Sequence, residues 1–501
     1  MIPILNSNQT RAADAYTIKN EPIKSIDLME RASRAFFVKF LDLISPEKEI
    51  IVFAGVGNNG GDALAVSRML LEKGKSVSIY TIGNKEKASD DFQTNFDRLT
   101  TLTIIRHLEK QFDFPEMNEN HVIIDGIFGS GLTRPVTGLF GKLIQTVNRS
   151  GAKVCALDIP SGLFSDSLNL EGEIVRANFT ITFQTPKLSY FQPQVAPYVG
   201  DWHVVDIGLN KEFIIETNTD CFYTEILDIH YPKRSKFMHK GDAGRVLLVS
   251  GSKGKMGSTT LCARAAIRSG VGLLFVHAPV CGLDILQISV PEAMVEVDEH
   301  TEVISEVLPG DDINVIAIGP GIGTGELTQK AISDLILKFD QPLVVDADGI
   351  NIISKNRNLL KALPPESILT PHPGEFKRLV GEWENDFEKL EKLKSFCQEY
   401  RLNVVLKGAY SAVCNSEGKI YFNSTGNPGM ATGGSGDVLT GIIAALLAQG
   451  MKPFIALKSA VYIHGYAADM AAVEKGEVSL IPSDVIEYLP KAFSMLRTAK
   501  N

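Results

Sequence analysis

No Cys-x-x-Cys pair occurs in this chain, and its six cysteines (Cys155, Cys221, Cys262, Cys281, Cys397 and Cys414) are scattered. That pattern excludes a disulfide framework or a cysteine-rich zinc site and points to a reducing compartment with buried thiols. The nine histidines form no His-Glu-x-x-His or similar ligand spacing. Long runs of like charge are also missing. The formal charge, 50 − 59 = −9, is spread along the chain, which argues against nucleic acid as the main partner. An anionic ligand must then be held by local N–H groups rather than by a global positive field. The longest apolar helical candidate, near Val438–Ala448, is shorter than the roughly 20 residues that cross a bilayer. Met1-Ile2-Pro3-Ile4-Leu5-Asn6 shows no basic-then-apolar leader pattern. The expectation is a cytoplasmic protein that handles small molecules, with no nucleic-acid and no membrane partner, assembled as a homo-oligomer.

What the chain does have is length and an ordinary globular composition. With 501 residues, 44% of them hydrophobic and 22% charged, it exceeds one core and is expected to hold two or more domains. Ser7 and Asn8 are candidate caps for a first helix through Tyr16, and Ile26–Ile44 carries a helical stripe of Met29, Ala32, Phe36 and Phe40. Buried strands are predicted at Glu49–Gly55, Val77–Ile82, Val122–Asp125 and Lys153–Leu157. Later ones fall at Arg245–Ser250, Leu273–Val276, Val315–Ile318, Leu343–Val345 and Asn403–Leu406, with a hairpin over Cys414–Phe422. Alternation of such strands with amphipathic helices predicts an α/β fold with mostly parallel sheets, Rossmann-like in its N-terminal half. Gly208–Ser235 lacks periodicity beyond one short strand near Cys221–Tyr223. Domains are therefore drawn at 1–215 and 236–501, with 216–235 as the boundary.

In parallel sheets ligands sit beyond the carboxyl ends of the strands. Three such ends carry chemistry-capable residues: Asn58–Asp62, Asp125–Pro135 and Asp158–Leu163. They are expected to converge on one cleft. Gly55, Gly57 and Gly60 fit a dinucleotide fingerprint, but the region near Ile82 offers no acidic partner for a ribose. The amide oxygens of this loop with Asp125 and Ser161 can instead form an oxygen cage for a hard cation; the alternative is Asn and Gly as turn formers. In the second half, Gly426–Asp437 is a glycine-rich stretch that opens a helix, a place where N–H groups converge on an anion. Asp437 at an anion site makes sense if it takes a proton from a hydroxyl about to become a nucleophile. The alternative is a helix N-cap. Lys253 and Lys255 either meet phosphates or are solvated loop lysines.

The motifs GNNGGDA (57–63), DGIFGSGLTRPVTG (125–138) and DIPSGL (158–163) resemble those of the NAD(P)H-hydrate epimerase family, over roughly residues 1–215. The resemblance implies that Asn58, Asn59, Gly60, Gly61 and Asp62, with Gly129, Ser130, Gly131, Leu132, Thr133, Arg134 and Pro135, line the hydrated nicotinamide nucleotide. It implies that Asn59, Asp125 and Ser161 hold a potassium ion and that Asp158 binds substrate as acid/base. The reaction it implies interconverts the R and S hydrates at the C6 hydroxyl. Ala63 stands where the family usually has a fourth glycine.

Residues 235–495, with HKGDAGRVLLVSGS, GPGIG, TPHPGE, KGAYS and TGGSGD, resemble the ribokinase-like ADP-dependent NAD(P)H-hydrate dehydratases. That resemblance implies hydrate contacts from Gly323, His372 and Asp437. It places ADP phosphates on Lys407, Gly408, Ala409, Tyr410 and Ser411, with Gly436 at the nucleotide and magnesium alongside. His372 has a second possibility as a capped loop histidine, and Ser411 replaces a common Thr. By this resemblance Asp437 deprotonates the hydrate, which attacks the β-phosphate of ADP and then loses phosphate, leaving AMP. A small-alcohol kinase shares Asp437 and the glycine loop but leaves GNNGGD unexplained. A non-catalytic nucleotide sensor leaves Asp437 without a role.

Overall fold

A computed structural model describes residues 1–44, 48–169 and 171–499. The chain divides into two compact units, one of Ile2–Thr219 with Asn385–Phe387, the other of Met1, Asp220–Glu384 and Glu388–Asn501. Both are α/β, as the alternation of periods predicts. Among the described residues no helix is long and apolar enough to cross a membrane.

The first unit is built on a sheet of β1 (Glu49–Gly55), β2 (Val77–Ile82), β3 (Ile105–Leu108), β4 (His121–Gly126), β5 (Lys153–Leu157), β6 (Phe179–Phe183) and β7 (Asp201–Val205). The spatial order is β3-β2-β1-β4-β5-β6-β7, every pair parallel. Chain order reverses between β1 and β4, so a crevice opens between the loops that leave them. The predicted strands are present; β3, β6 and β7 are additional. They lie towards the sheet edges, and β3 buries only Leu108, too little apolar pattern to mark it in sequence. The helix Ser25–Leu43 buries Met29, Ala32, Phe36 and Phe40 as its stripe predicts. The first helix spans Ser7–Asn20, and its cap is Asn6 rather than Ser7 or Asn8. Asn6 Oδ1 accepts from Gln9 N at 2.9 Å and Gln9 Oε1 accepts from Asn6 N at 3.0 Å, a capping box one residue earlier than expected.

The helix Asn58–Glu72 leaves β1 almost without a connecting loop. This works because Gly60 lies against the strand end: a Cβ there would sit 1.6 Å from the Gly55 carbonyl oxygen. Ala63 is fully buried, and its methyl carbon occupies the space a side chain at Gly126 would need, 2.5 Å away.

The second unit's sheet holds β8 (Cys221–Thr224), β9 (Arg245–Val249), β10 (Leu273–Ala278), β11 (Met294–Val297), β12 (Val315–Ile318), β13 (Leu343–Val345), β14 (Ile368–Leu369), β15 (Asn403–Leu406), β16 (Ala412–Cys414) and β17 (Ile420–Asn423). Their order is β8-β17-β16-β15-β14-β13-β12-β9-β10-β11. All pairs are parallel except β15–β16 and β16–β17, the latter being the predicted hairpin over Cys414–Phe422. Near the expected boundary the short helix Lys211–Glu216, capped by Asn210, precedes β8.

The helix Ser435–Ala448 is apolar nearly all round and is buried in the core. It meets the helix Met256–Arg268 at Gly441, where a Cβ would lie 2.2 Å from the Cys262 carbonyl oxygen. Backbone contact at that crossing fixes where the first turn of Ser435–Ala448 points. Its cap is Gly434 at φ +96°, a left-handed conformation that suits glycine. Asp437 is therefore inside the first turn and is not the N-cap.

Candidate active sites

A cavity of about 540 Å³ lies in the first unit beyond the carboxyl ends of β1, β4 and β5. Asn58, Asn59, Asp62, the stretch Gly129–Leu132 and Asp158 all line it, so the three strand-end loops do converge. Gly60, Gly61, Thr133, Arg134 and Pro135 are not in its wall. Gly60 and Gly61 are packing positions, the latter against Met29 and Phe92, and Thr133–Pro135 are exposed.

Asp158 is held in a left-handed conformation at φ +64°. Its Oδ1 lies 2.9 Å from Lys187 Nζ and accepts from Phe183 N at 3.0 Å and Thr182 Oγ1 at 3.1 Å. The Tyr190 hydroxyl donates to its carbonyl at 2.5 Å. Lys187 is itself buried, with a 2% exposed side chain. Two more carboxyls face this space. Burial, reinforced by Asp158, pushes Asp14 up to about 6 against the pull of Lys187. Burial holds Asp62 well above the usual carboxylate range, although Ser33 Oγ donates to it at 3.0 Å.

Beside the cavity the predicted cation ligands come together. Asp125 accepts from Ser161 N at 2.7 Å and from Ser161 Oγ at 2.6 Å, while Asn59 Nδ2 donates to the Phe128 carbonyl at 3.0 Å. Asp125 is 1% exposed, and burial pushes it up to about 6. Its hydrogen bonds come from neutral donors, so an alkali cation on this oxygen-rich set would supply a compensating charge.

In the second unit Asp437 faces a linked group of charges. Burial pushes it up to about 6 and Asp346 adds to this, while the Ser258 hydroxyl and Lys407 oppose it. Lys407 Nζ is 3.1 Å from Asp346 Oδ1 and 4.0 Å from Glu375 Oε2. Thr440 Oγ1 donates to Asp346 Oδ2 at 2.7 Å, tying β13 to the helix of Asp437. Lys407 and Gly436 are neighbours: a Cβ at Gly436 would lie 3.3 Å from Nζ. The absence of a side chain thus leaves the ammonium open towards the glycine loop.

His372 is a capping residue. Its Nδ1 accepts from Gly374 N at 3.0 Å and Glu375 N at 3.4 Å, and its half-exposed ring places Nε2 3.4 Å from Glu375 Oε1. Gly323, at φ +78°, donates its N–H to Asp348 Oδ2 at 2.9 Å. Lys255 pairs with that same oxygen at 3.3 Å, and Lys253 pairs with Glu302, so both loop lysines are charge-paired. Ser411 Oγ accepts from Gly408 N at 3.3 Å, which closes the Lys407–Ser411 turn; Ala409 is exposed and Tyr410 half-buried. Asp469 accepts from Gly426 N and Asn427 Nδ2, each at 2.9 Å, and so steadies the start of the glycine loop.

Glu375 closes the TPHPGE motif and Asp346 directly follows the predicted strand Leu343–Val345, neither with a role assigned from sequence. Asp14, Lys187 and Asp469 lay outside any motif. Only their helix spacing or a general suspicion of buried charge could have marked them.

A family described as NAD(P)H-hydrate dehydratase matches residues 246–491, and one described as YjeF-related protein N-terminus matches residues 25–189. The bifunctional NAD(P)H-hydrate repair enzyme Nnr of Thermofilum pendens is 32% identical over 97% of this chain and 94% of its own length. The chain belongs to the bifunctional NAD(P)H-hydrate repair enzyme family. The Moorella thermoacetica enzyme of the same name is 35% identical, covering 88% of this chain and 87% of its own. The Escherichia coli one is 31% identical over 95% and 91%. Among solved structures, the ADP/ATP-dependent NAD(P)H-hydrate dehydratase of Bacillus subtilis, co-crystallised with ATP and Mg²⁺, is 30% identical. It covers 55% of this chain and 98% of its own, with a TM-score of 0.48.

Proposed function

We propose that this member of the family repairs hydrated nicotinamide cofactors in two steps. The first unit interconverts the R and S hydrates, and the second dehydrates the S form at the expense of ADP, giving NAD(P)H, AMP and phosphate. The observation that supports the second step best is Asp437. It is a carboxyl of raised proton affinity in the first turn of a helix, beside a lysine that a glycine leaves uncovered. The carboxylate takes the proton of the C6 hydroxyl, and the oxygen attacks the β-phosphorus of ADP as AMP leaves. Lys407 and the N–H groups of Gly434–Gly436 oppose the charge that builds on the phosphate oxygens. The ring nitrogen's lone pair then expels phosphate from C6, and loss of a C5 proton restores the dihydropyridine. His372 and Gly323 flank the hydrate, and Lys407–Ser411 take the nucleotide phosphates. Magnesium bound with ADP would supply charge neutralisation at the phosphates, and the nearby Asp346 suits a hard cation.

In the first unit Asp158, charge-paired to Lys187, handles the proton at the hydrate's C6 oxygen. Asn59, Asp125 and Ser161 would hold potassium, which anchors the glycine-rich loops by charge.

The test gives the full chain NADH hydrate as mixed epimers with ADP and magnesium and follows the return of NADH absorbance. Complete recovery with one AMP per NADH is expected. Phosphate release that ignores the hydrate, or a stable phosphorylated alcohol, would overturn the proposal.

A further inference from the structure

The N-terminal helix has no part in the motifs, and it begins before the matched residues 25–189. Yet Ser7, Thr10, Arg11 and Asp14 all line the cavity of the first unit. Their spacing puts them on one helix face, and that face borders the ligand space. The helix is also fixed at both ends. Ser7 N donates to Asp166 Oδ2 at 2.9 Å and Ser7 Oγ meets Ser165 Oγ at 3.1 Å, while Asn210 N donates to Thr17 Oγ1 at 2.9 Å. A face so anchored holds its side chains in place as the motif loops do.

We infer that Asp14 is a second proton-transfer group of this cavity, acting with Asp158 on the C6 oxygen of the hydrate. This rests on the epimerase role proposed above. Inversion at C6 by reversible loss of water requires one oxygen to leave and another to arrive on the opposite face of the ring. Two carboxyl groups carried by different elements suit that requirement better than one. Protonation of the C6 hydroxyl lets the C–O bond break with its electron pair on oxygen, which departs as water, while the nitrogen lone pair forms the N–C6 double bond. Water adding to the other face forms the new C–O bond, the nitrogen recovers its pair, and a carboxylate accepts the surplus proton. Nothing is oxidised or reduced.

The surroundings separate the two groups chemically. Asp158 has the Lys187 ammonium at 2.9 Å, the setting of a proton acceptor. Asp14 is pushed up to about 6, by burial first and Asp158 second, with Lys187 opposing. Asp62, Arg11 one turn away and Lys87 in the cavity wall complete its charged surroundings. A carboxyl of this kind can donate and recover a proton near neutrality.

The test uses full-length Asp14→Asn and Asp14→Glu with the R epimer of NADH hydrate and no ADP, following R-to-S conversion by chromatography. Asp14→Asn is expected to lower kcat on the order of a hundredfold, with KM little changed. The rate step of wild type near pH 6 should vanish in Asp14→Asn, and Asp14→Glu should recover part of kcat. An Asn variant within about twofold of wild type, one altered in KM alone, or one that keeps the pH step would overturn the inference. If Asp14→Asn does not fold, Asp14→Glu decides: an unshifted pH step with full kcat overturns it. A wild-type chain that fails to interconvert the epimers would instead refute the epimerase role itself.

Discussion

At Asp437 one carboxyl carries two separable consequences. As a base it works only when ionised, so dehydration should fall as pH drops through about 6, the value to which burial raises it. Asp437→Asn should reduce dehydration by at least a hundredfold, on the order of what general-base removal costs, while epimerisation continues. The second consequence concerns stability. A carboxyl whose folded pKa is raised makes the folded chain take up a proton more readily than the unfolded chain. Its charge therefore costs stability above pH 6 and ceases to do so as pH falls towards the unfolded value of 3.8. Asp437→Asn should melt a few degrees higher than wild type at neutral pH, and the difference should close on acidification. Scanning calorimetry across that range checks it. The sequence exposed Asp437 because a carboxylate in an anion loop contradicts the loop's electrostatics. It could not expose Asp346 as its neighbour, because residues 346 and 437 meet only where the helix Ser435–Ala448 packs against the end of β13.

Elements decide where those residues point. The helices Met256–Arg268 and Ser435–Ala448 touch backbone to backbone at Gly441, and Ser258 and Asp437 lie on these same two helices. Gly441→Ala should force the pair apart. The expected result is a loss of about 1–3 kcal/mol, the size typical of overpacked cores, and a fall in kcat for dehydration larger than the change in nucleotide affinity. Titration of ADP alongside the rate separates the two effects. Period and turn chemistry made most elements readable: strands β1, β2, β4, β5, β12 and β13 fall where apolar runs end in glycine or aspartate. The strands that escaped lack a continuous apolar run: β3, β7, β11 and β14 are short or half-buried, and in β6 the buried Thr180 and Thr182 alternate with the apolar residues. The N-terminal helix was visible as a helix, but its cavity face was not, since which side of a helix meets a ligand depends on what packs behind it.

Two units with separate cores and separate charge clusters predict separable failures. With mixed epimers, Asp158→Asn should convert the S share at the wild-type rate and then slow to the spontaneous interconversion of the remainder. A biphasic absorbance trace is the signature, and a single phase to completion would remove Asp158 from its role. Replacing potassium by a bulky organic cation should slow the R-to-S reaction of the first unit and leave the dehydration of pure S hydrate unchanged. The buried pair at positions 63 and 126 carries a consequence for how such a chain can drift. Only one methyl group fits between the helix Asn58–Glu72 and β4, and here Ala63 holds it. Gly126→Ala alone should be severely destabilising. The same change in an Ala63→Gly background should cost less, by a coupling in the range of about 0.5–3 kcal/mol that contacting residues show in double-mutant cycles. The two positions are in effect inherited together, so a lineage can move the methyl from one to the other only by passing through the empty pair.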